Sequence, residues 1–320
     1  MGCGWRRSLL PMSKTALKPR ASLDRLAELQ DAVVTRHQLR EYGFDFDAVQ
    51  AHIDARRWQS RGRTVVVLHS GPLTARQERW VAVLAQHQGA LGGITAAEEF
   101  GLSGFDDGLV HVLVSYDARR HQLPGVRLHL SRRFSAADLH PGRDLPTVRI
   151  ERAIVDAASW MAPPRKACAV TCAAVQQRLT TAERLRPELL AAGRGRHHLL
   201  LTRILGDIEG GAASFSEIDF AHLARLAGLP PPRRQTFRFD RAGRRRWLDA
   251  DFDGFFAEVD GAVHLRPLNY WDDMERQNDL VVVTGKPGLR FASVAIRIAP
   301  ATVVAQLRAA GERFGFGRRD

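Results

Sequence analysis

Apolar residues between positions 22 and 70 repeat at helical spacing and then change to a strand pattern. Residues 23–29 form a first amphipathic helix. Thr35 with Gln38 three residues later is a capping-box pattern that predicts a second helix, which Gly43 ends. A third helix follows, capped by Asp45 or Asp47. A strand-rich segment over residues 60–68 completes the order of a winged helix-turn-helix.

The rest of the chain alternates helical and strand patterns, which predicts an α+β and α/β multidomain protein. Strands are expected over Val110–Ser115 and Val126–Ser131, among several helices. Residues 1–21 lack periodicity and are predicted to form a disordered tail. The expected regions are the tail, a winged helix (22–70), a mixed α/β middle region (71–205) and a C-terminal α/β domain (206–320).

The C-terminal region begins with a predicted helix at Ser216–Ala227, which the prolines after Gly228 end. Apolar runs then predict strands over 235–239, 247–252 and 255–260. A polar helix over 271–279, a strand over Leu280–Thr284, a strand over Leu289–Val294 and a final helix over 301–310 follow.

The dipeptide Asp253-Gly254 between two apolar runs is a strong signal for a two-residue hairpin turn. Pairing the strands outward from this turn, with side chains alternating between faces, separates acidic from apolar residues. One face carries Leu248, Ala250, Phe252, Phe255, Ala257 and Val259. The other face carries Asp249, Asp251, Glu258 and Asp260, with Asp249 opposite Glu258.

Carboxylates directly opposite each other lie ~5 Å apart. At an effective dielectric constant of ~20 such a pair repels by ~3 kcal/mol. A hard cation such as Mg²⁺, or Mn²⁺ in its place, removes that repulsion. Two alternatives to a metal site stay open. The acidic face is solvated and binds no ligand, or the strand register is slipped by one residue, so that Asp249 and Glu258 are not opposite each other.

The motifs of this region, in this order, resemble the PD-(D/E)XK nuclease superfamily, in its branch related to very short patch repair endonucleases. The resemblance covers roughly residues 214–310. The residues that carry it are Ser216-Glu217, Gly228-Leu229-Pro230 with Pro232, Leu248-Asp249, Glu258-Val259-Asp260-Gly261 with His264, Arg276-Gln277-Asn278-Asp279 and Leu289-Arg290-Phe291.

This resemblance implies that Asp249 and Glu258 hold a metal ion with the Val259 carbonyl, and that Glu217 completes the shell directly or through water. The metal would polarise the scissile phosphate and lower the pKa of an attacking water. Asp260 stands where the superfamily has its lysine, which leaves that role unassigned. Arg276, Gln277 or His264 would supply a donor or base, and a core or surface role for His264 is equally open.

The N-terminal half resembles the AbiEi-type antitoxin group. The residues that carry this resemblance are Leu26-Ala27-Glu28-Leu29-Gln30, Val33-Val34-Thr35-Arg36, Arg57-Trp58-Gln59, Gly71-Pro72-Leu73-Thr74 and Thr95-Ala96-Ala97-Glu98. It implies a winged helix that binds DNA, and a cognate toxin or antitoxin as a protein partner. The residues expected to contact DNA are Arg56, Arg57, Arg61 and Arg63.

Charge supports a polyanionic partner, because the formal net charge is +12. Only four lysines occur, so a codon bias toward arginine is an alternative source of this basicity.

Cys168 and Cys172 are expected to be small core residues. The histidines at 111, 121, 129, 140, 197 and 198 are scattered without ligand spacing. No apolar run approaches the ~20 residues of a membrane span, so a cytoplasmic protein without membrane contact is expected.

Two functions remain open from the sequence. The first is a DNA-interacting protein whose C-terminal domain is a Mg²⁺-dependent endonuclease. The second is a non-enzymatic regulator of the antitoxin type, in which a nuclease fold is kept for binding. The acidic hairpin favours the first function, since carboxylates kept together are costly without a ligand.

Overall fold

The computed structural model describes residues 21–210, 215–233, 236–239, 245–248, 250–260 and 277–315. The chain divides into two compact units, residues 1–157 and 158–320. Residues 71–157 therefore belong with the N-terminal helices, and residues 158–205 belong with the C-terminal ones. The described residues form a mixed α+β structure with several small sheets.

The first unit opens with six short elements around one apolar core. Strand β3 lies between β1 and β2 and is antiparallel to both. The core contains Val34, Leu39 and Val66, with Trp58 packed against it. In chain order the elements are α1 (Ala21–Leu29), β1 (Val33–Thr35), α2 (Arg36–Glu41), α3 (Phe46–Asp54), β2 (Gln59–Arg61) and β3 (Val65–Val67).

Local capping confirms the predicted starts of α2 and α3. The backbone nitrogen of Gln38 donates to Thr35 Oγ1 at 3.0 Å, and Gln38 Oε1 accepts from the Thr35 nitrogen at 2.8 Å. Asp45, rather than Asp47, caps α3, because its carboxylate accepts from the Ala48 nitrogen at 2.8 Å. Both helices thus begin where a side chain replaces a missing backbone acceptor.

The rest of the first unit is built on a second three-stranded sheet. Strand β5 is central, antiparallel to β4 and parallel to β6. The predicted bounds of β5 and β6 are confirmed. The elements are α4 (Ala75–Leu84), β4 (Gly89–Leu91), α5 (Gly93–Glu99), β5 (Val110–Ser115), β6 (Val126–Ser131) and α6 (Ile150–Trp160).

A buried arginine joins α6 to the segments that precede it. Arg152 is 1% exposed. Its Nε lies 2.6 Å from Asp156 Oδ2 and its Nη1 lies 3.2 Å from Asp138 Oδ1. Its Nη2 donates to Ser131 Oγ at 3.2 Å. These bonds satisfy a charge that would otherwise be costly to bury.

The second unit begins with three helices, α7 (Pro164–Gln176), α8 (Ala182–Ala192) and α9 (His198–Gly210). Cys168 and Cys172 pack with Ile204 in an apolar cluster, so their predicted core role is confirmed. Burial raises the pKa of the Cys168 thiol to about 11 and that of Cys172 to about 12. Both thiols are therefore protonated near neutral pH, as expected for structural cysteines.

A third sheet forms the C-terminal part of this unit. Strand β10 is central, antiparallel to β9 and parallel to β11, while β7 and β8 pair separately. The elements are α10 (Phe215–Leu226), β7 (Thr236–Phe239), β8 (Arg245–Leu248), β9 (Ala250–Asp251), β10 (Phe256–Asp260), β11 (Gly288–Ala292), α11 (Ser293–Ile298) and α12 (Pro300–Phe314). Helical residues 277–284, here called the crossover helix, lie between β10 and β11 in the chain.

The predicted strand over Leu280–Thr284 is wrong, because these residues are helical. Leu280 is fully buried and packs against Phe256 of β10. Val281, Val282 and Val283 are between 36% and 57% exposed. The run of β-branched residues favoured a strand, but packing of one leucine on the sheet outweighs that preference. No helix among the described residues is long and apolar enough to cross a membrane.

Candidate functional site

The predicted hairpin turns where the sequence indicates. The Phe252 nitrogen donates to the Phe255 carbonyl at 2.9 Å across the Asp253-Gly254 turn. Asp251 pairs with Phe256, and the next pair outward is Ala250 with Ala257. This is the register predicted from the sequence. Asp249, the predicted partner of Glu258, lies outside the described residues.

The two faces of the hairpin separate as predicted. Ala250, Phe252, Phe255 and Ala257 are buried in the core of the C-terminal sheet and its flanking helices. Asp251, Phe256 and Glu258 therefore share the opposite face, here called the acidic face. The crossover helix packs on this face through Leu280. Asp251 is 3% exposed and Glu258 is 6% exposed, so their carboxylates are not a solvated surface.

Lys286, just before β11, provides a counter-ion for one of these carboxylates. Its Nζ lies 3.1 Å from Asp251 Oδ1 and donates to the Phe252 carbonyl at 3.0 Å. The Asp251 side chain is 2% exposed and the Lys286 side chain 26%. The negative charge expected on this face is thus partly balanced by an ammonium group. Glu258 is the second buried carboxylate described on the acidic face.

A second oxygen donor lies on the acidic face. Gln277 Oε1, in the crossover helix, is buried and has no hydrogen-bond partner among the described residues. A Cβ atom at Gly288 of β11 would overlap the Gln277 amide and the Phe256 ring. Glycine at 288 therefore lets the crossover helix approach the sheet closely. The Glu258 carboxylate and the Gln277 amide oxygen are both hard oxygen donors, the kind that Mg²⁺ prefers.

The remaining predicted site residues are described in part or not at all. Glu217 belongs to α10 and Asp260 to β10, and only their backbones are described. His264 and Arg276 lie outside the described residues. Within the described ranges no group of three or more His, Cys, Asp or Glu side chains could hold a metal ion. The complete predicted ligand set stays a prediction.

Comparison with known proteins adds no identification. A scan against models of protein families finds no match, and a search of the curated proteins finds no relative.

The four arginines predicted to contact DNA are all exposed. They occupy the turn after α3 and the β2–β3 hairpin. Arg61 donates to Gln59 Oε1 at 3.0 Å. Within the part of the chain that the structure describes, none of the four forms an ion pair, so their charges are open to an external anion. These residues are Arg56, Arg57, Arg61 and Arg63.

The structure also brings together two histidines that the sequence left scattered. His111 of β5 and His129 of β6 lie on neighbouring parallel strands, and His111 Nδ1 is 2.9 Å from His129 Nε2. Their planes differ by 12° with centroids 5.1 Å apart, which places the rings edge to edge in a nearly linear hydrogen bond. His111 Nε2 lies 3.1 Å from both Asp107 carboxylate oxygens. The parallel register that joins them has no local sequence signal.

His111 lies between Asp107 and His129 in a chain of hydrogen bonds, here called the relay. An ionised carboxylate only accepts, so Asp107 accepts a hydrogen bond from His111 Nε2. Burial, then the neighbouring His111, lowers the pKa of His129 to about 3. The hydrogen bond to His111 holds the pKa of Asp107 below its usual range, against burial, which raises it. Since both nitrogens of His111 are occupied within the relay, the arrangement does not converge on a metal ion.

We predict that His129 makes this protein less stable in acid. Its folded pKa, about 3, lies below the ~6.5 of an unfolded histidine. The contribution of neutral His129 to the free energy of unfolding is present above pH ~6.5 and is lost as pH falls toward 3. In that range the imidazole is protonated in the unfolded chain but stays neutral in the folded chain. His129→Gln keeps a donor near the Nε2 position without titrating. Denaturant unfolding between pH 7 and 4.5 should show a smaller loss of stability in this variant, and parallel profiles would contradict the assignment.

Proposed function

We propose that the C-terminal part of this protein hydrolyses phosphodiester bonds in DNA with Mg²⁺ or Mn²⁺. The observation that carries the proposal is the burial of Glu258 on the acidic face, in a hairpin whose described pairs have the predicted register. A buried carboxylate in such a place supplies the hard oxygen ligand that a divalent cation prefers. The order of strands and helices around β10, with a helix between two parallel strands, is consistent with a nuclease of the PD-(D/E)XK type.

Each side chain then has a role. Glu258 would hold the metal with the Val259 carbonyl and with Asp249, its predicted neighbour, while Glu217 would complete the shell. The bound ion supplies positive charge to the scissile phosphate and lowers the pKa of a water. Gln277 offers a further oxygen from the crossover helix. Lys286 neutralises Asp251, so Asp251 supports the hairpin rather than binding the metal.

The N-terminal elements support DNA as the substrate. The order helix, strand, helix, helix, strand, strand with β3 between β1 and β2 is typical of a winged helix. Its arginines and the net charge of +12 favour a polyanion. The same features favour the second candidate, a DNA-binding regulator of the antitoxin type with a cognate protein partner. Catalysis distinguishes the two candidates.

The test is cleavage of supercoiled plasmid by the purified full-length chain. We expect nicked and linear products with Mg²⁺ or Mn²⁺ and none with chelator, since the reaction needs the metal charge. Ca²⁺ is a useful comparison, because it occupies oxygen sites with a looser geometry. Absence of cleavage with both Mg²⁺ and Mn²⁺, in protein that still binds DNA, would favour the regulator.

A further inference from the structure

Charge is divided sharply between α3 and the segment that follows it. Residues 45–54, which comprise α3 and its N-cap, contain three aspartates and neither arginine nor lysine. Residues 55–63 contain four arginines and no acidic residue. In the common mode of a winged helix, the helix at the position of α3 enters the major groove. Here that helix has the wrong charge for a groove lined by phosphates.

The outward face of α3 carries acidic and aromatic side chains rather than cationic ones. Asp45, Asp47 and Asp54 are exposed, and Phe46 is 65% exposed. Gln50, whose amide is a possible base-reading group, donates instead to Asp54 Oδ1 at 2.8 Å on its own helix. Val49 faces the core. A duplex approaching α3 would meet carboxylates and an aromatic ring.

The following segment is held in shape by the core beneath it. The ring of Trp58 stacks on His52 with centroids 3.9 Å apart and a 10° angle between planes. Arg56 adopts a left-handed backbone with φ of 51°, which makes the turn out of α3. At the hairpin tip, Gly62 has φ of 64°, and a Cβ there would lie 3.1 Å from Leu123 Cδ2. The four arginines are thus presented by a supported turn rather than by a loose loop.

We propose that this chain grips duplex DNA through the arginine hairpin, residues 56–63, with α3 turned away from the groove. The ligand is the phosphodiester backbone, which pairs with the four guanidinium groups. The proposal rests on the DNA-binding half of the proposed function and is independent of cleavage. Binding is then strongly salt-dependent and only weakly dependent on base sequence.

The test is fluorescence anisotropy of a labelled duplex with the full-length chain, in chelator so that no cleavage occurs. Arg61→Ala with Arg63→Ala should weaken binding at low salt by at least about tenfold and reduce the slope of log K against log salt by about two. Arg132→Ala with Arg149→Ala removes two exposed arginines of the same unit that lie outside the hairpin and outside the segment around Leu123 that contacts it, and is the matched control. This control pair should leave the affinity at low salt and the salt slope close to those of the wild type.

Two variants on α3 complete the test. Asp47→Asn with Asp54→Asn should leave affinity unchanged or raise it, and Phe46→Ala should leave it unchanged. Loss of binding in either α3 variant, with normal thermal unfolding, would overturn the proposal in favour of groove insertion. Equal effects of the hairpin and control pairs would overturn it in favour of nonspecific charge. Because every arm is measured in chelator, these outcomes are independent of whether the chain cleaves DNA.

Discussion

Glu258→Gln is expected to lower metal-dependent DNA cleavage by about a hundredfold or more, the scale seen when one charge-stabilising group is removed from a reacting centre. The amide keeps the shape of the carboxylate and removes its negative charge. The same change also relieves the repulsion predicted between the carboxylates of Glu258 and Asp249. Thermal stability without metal should therefore be unchanged or higher. Asp249→Asn, at the predicted neighbouring ligand, should behave in the same way.

The control for this variant lies on the same hairpin. Asp253 is 67% exposed and pairs with Arg233 at 3.1 Å. Asp253→Asn removes an equal charge outside the acidic face and should leave cleavage unchanged. If Glu258→Gln and Asp253→Asn cleave alike, Glu258 does not hold the metal. If the wild type never cleaves and Glu258→Gln is clearly less stable, Glu258 is structural.

Arg152→Met should destabilise the first unit more than any surface change. The substitution removes Arg152 from Asp138 and leaves Asp156 with the guanidinium of Arg133, 3.8 Å away. Removing one partner of a buried ion pair costs about 3–5 kcal/mol. At ~2–4 °C per kcal/mol for a unit of this size, we expect its thermal midpoint to fall by roughly 10 °C. Differential scanning calorimetry would measure the shift.

Two controls separate charge from packing at this position. Arg149→Met, one residue before α6, changes an exposed arginine and should move the midpoint little. Adding Asp138→Asn and Asp156→Asn to Arg152→Met removes the two carboxylate charges and should recover part of the lost thermal midpoint. A triple variant no more stable than Arg152→Met would indicate that the methylene packing of Arg152, rather than its charge, matters.

The parts of the fold that the sequence predicts well are those with local causes. The turn at Asp253-Gly254 fixes the hairpin register, and Thr35 with Gln38 fixes the start of α2. The alternation of apolar residues also assigns the two faces of β10 correctly. Each of these features depends on residues close together in the chain, so the residues that produce the sequence pattern also determine the local structure.

The parts that the sequence misses depend on distant contacts. Val281–Val283 looked like a strand, but these residues are helical in a segment whose Leu280 packs on Phe256. The pairing of Asp251 with Lys286 joins residues 35 positions apart, so the charge balance of the acidic face could not be read locally. The same is true of His111 and His129. In each case a parallel or packed neighbour decides the outcome.

The position of Lys286 has a consequence for the order of folding. The β9–β10 hairpin closes a short loop and can form early, whereas β11 must wait for the crossover connection to close. Lys286 lies two residues before β11, and its neighbour Pro287 accepts a hydrogen bond from the Phe256 nitrogen at 3.1 Å. Lys286 therefore reaches Asp251 when β11 pairs with β10, so the folding barrier need not include Asp251 as an isolated buried charge.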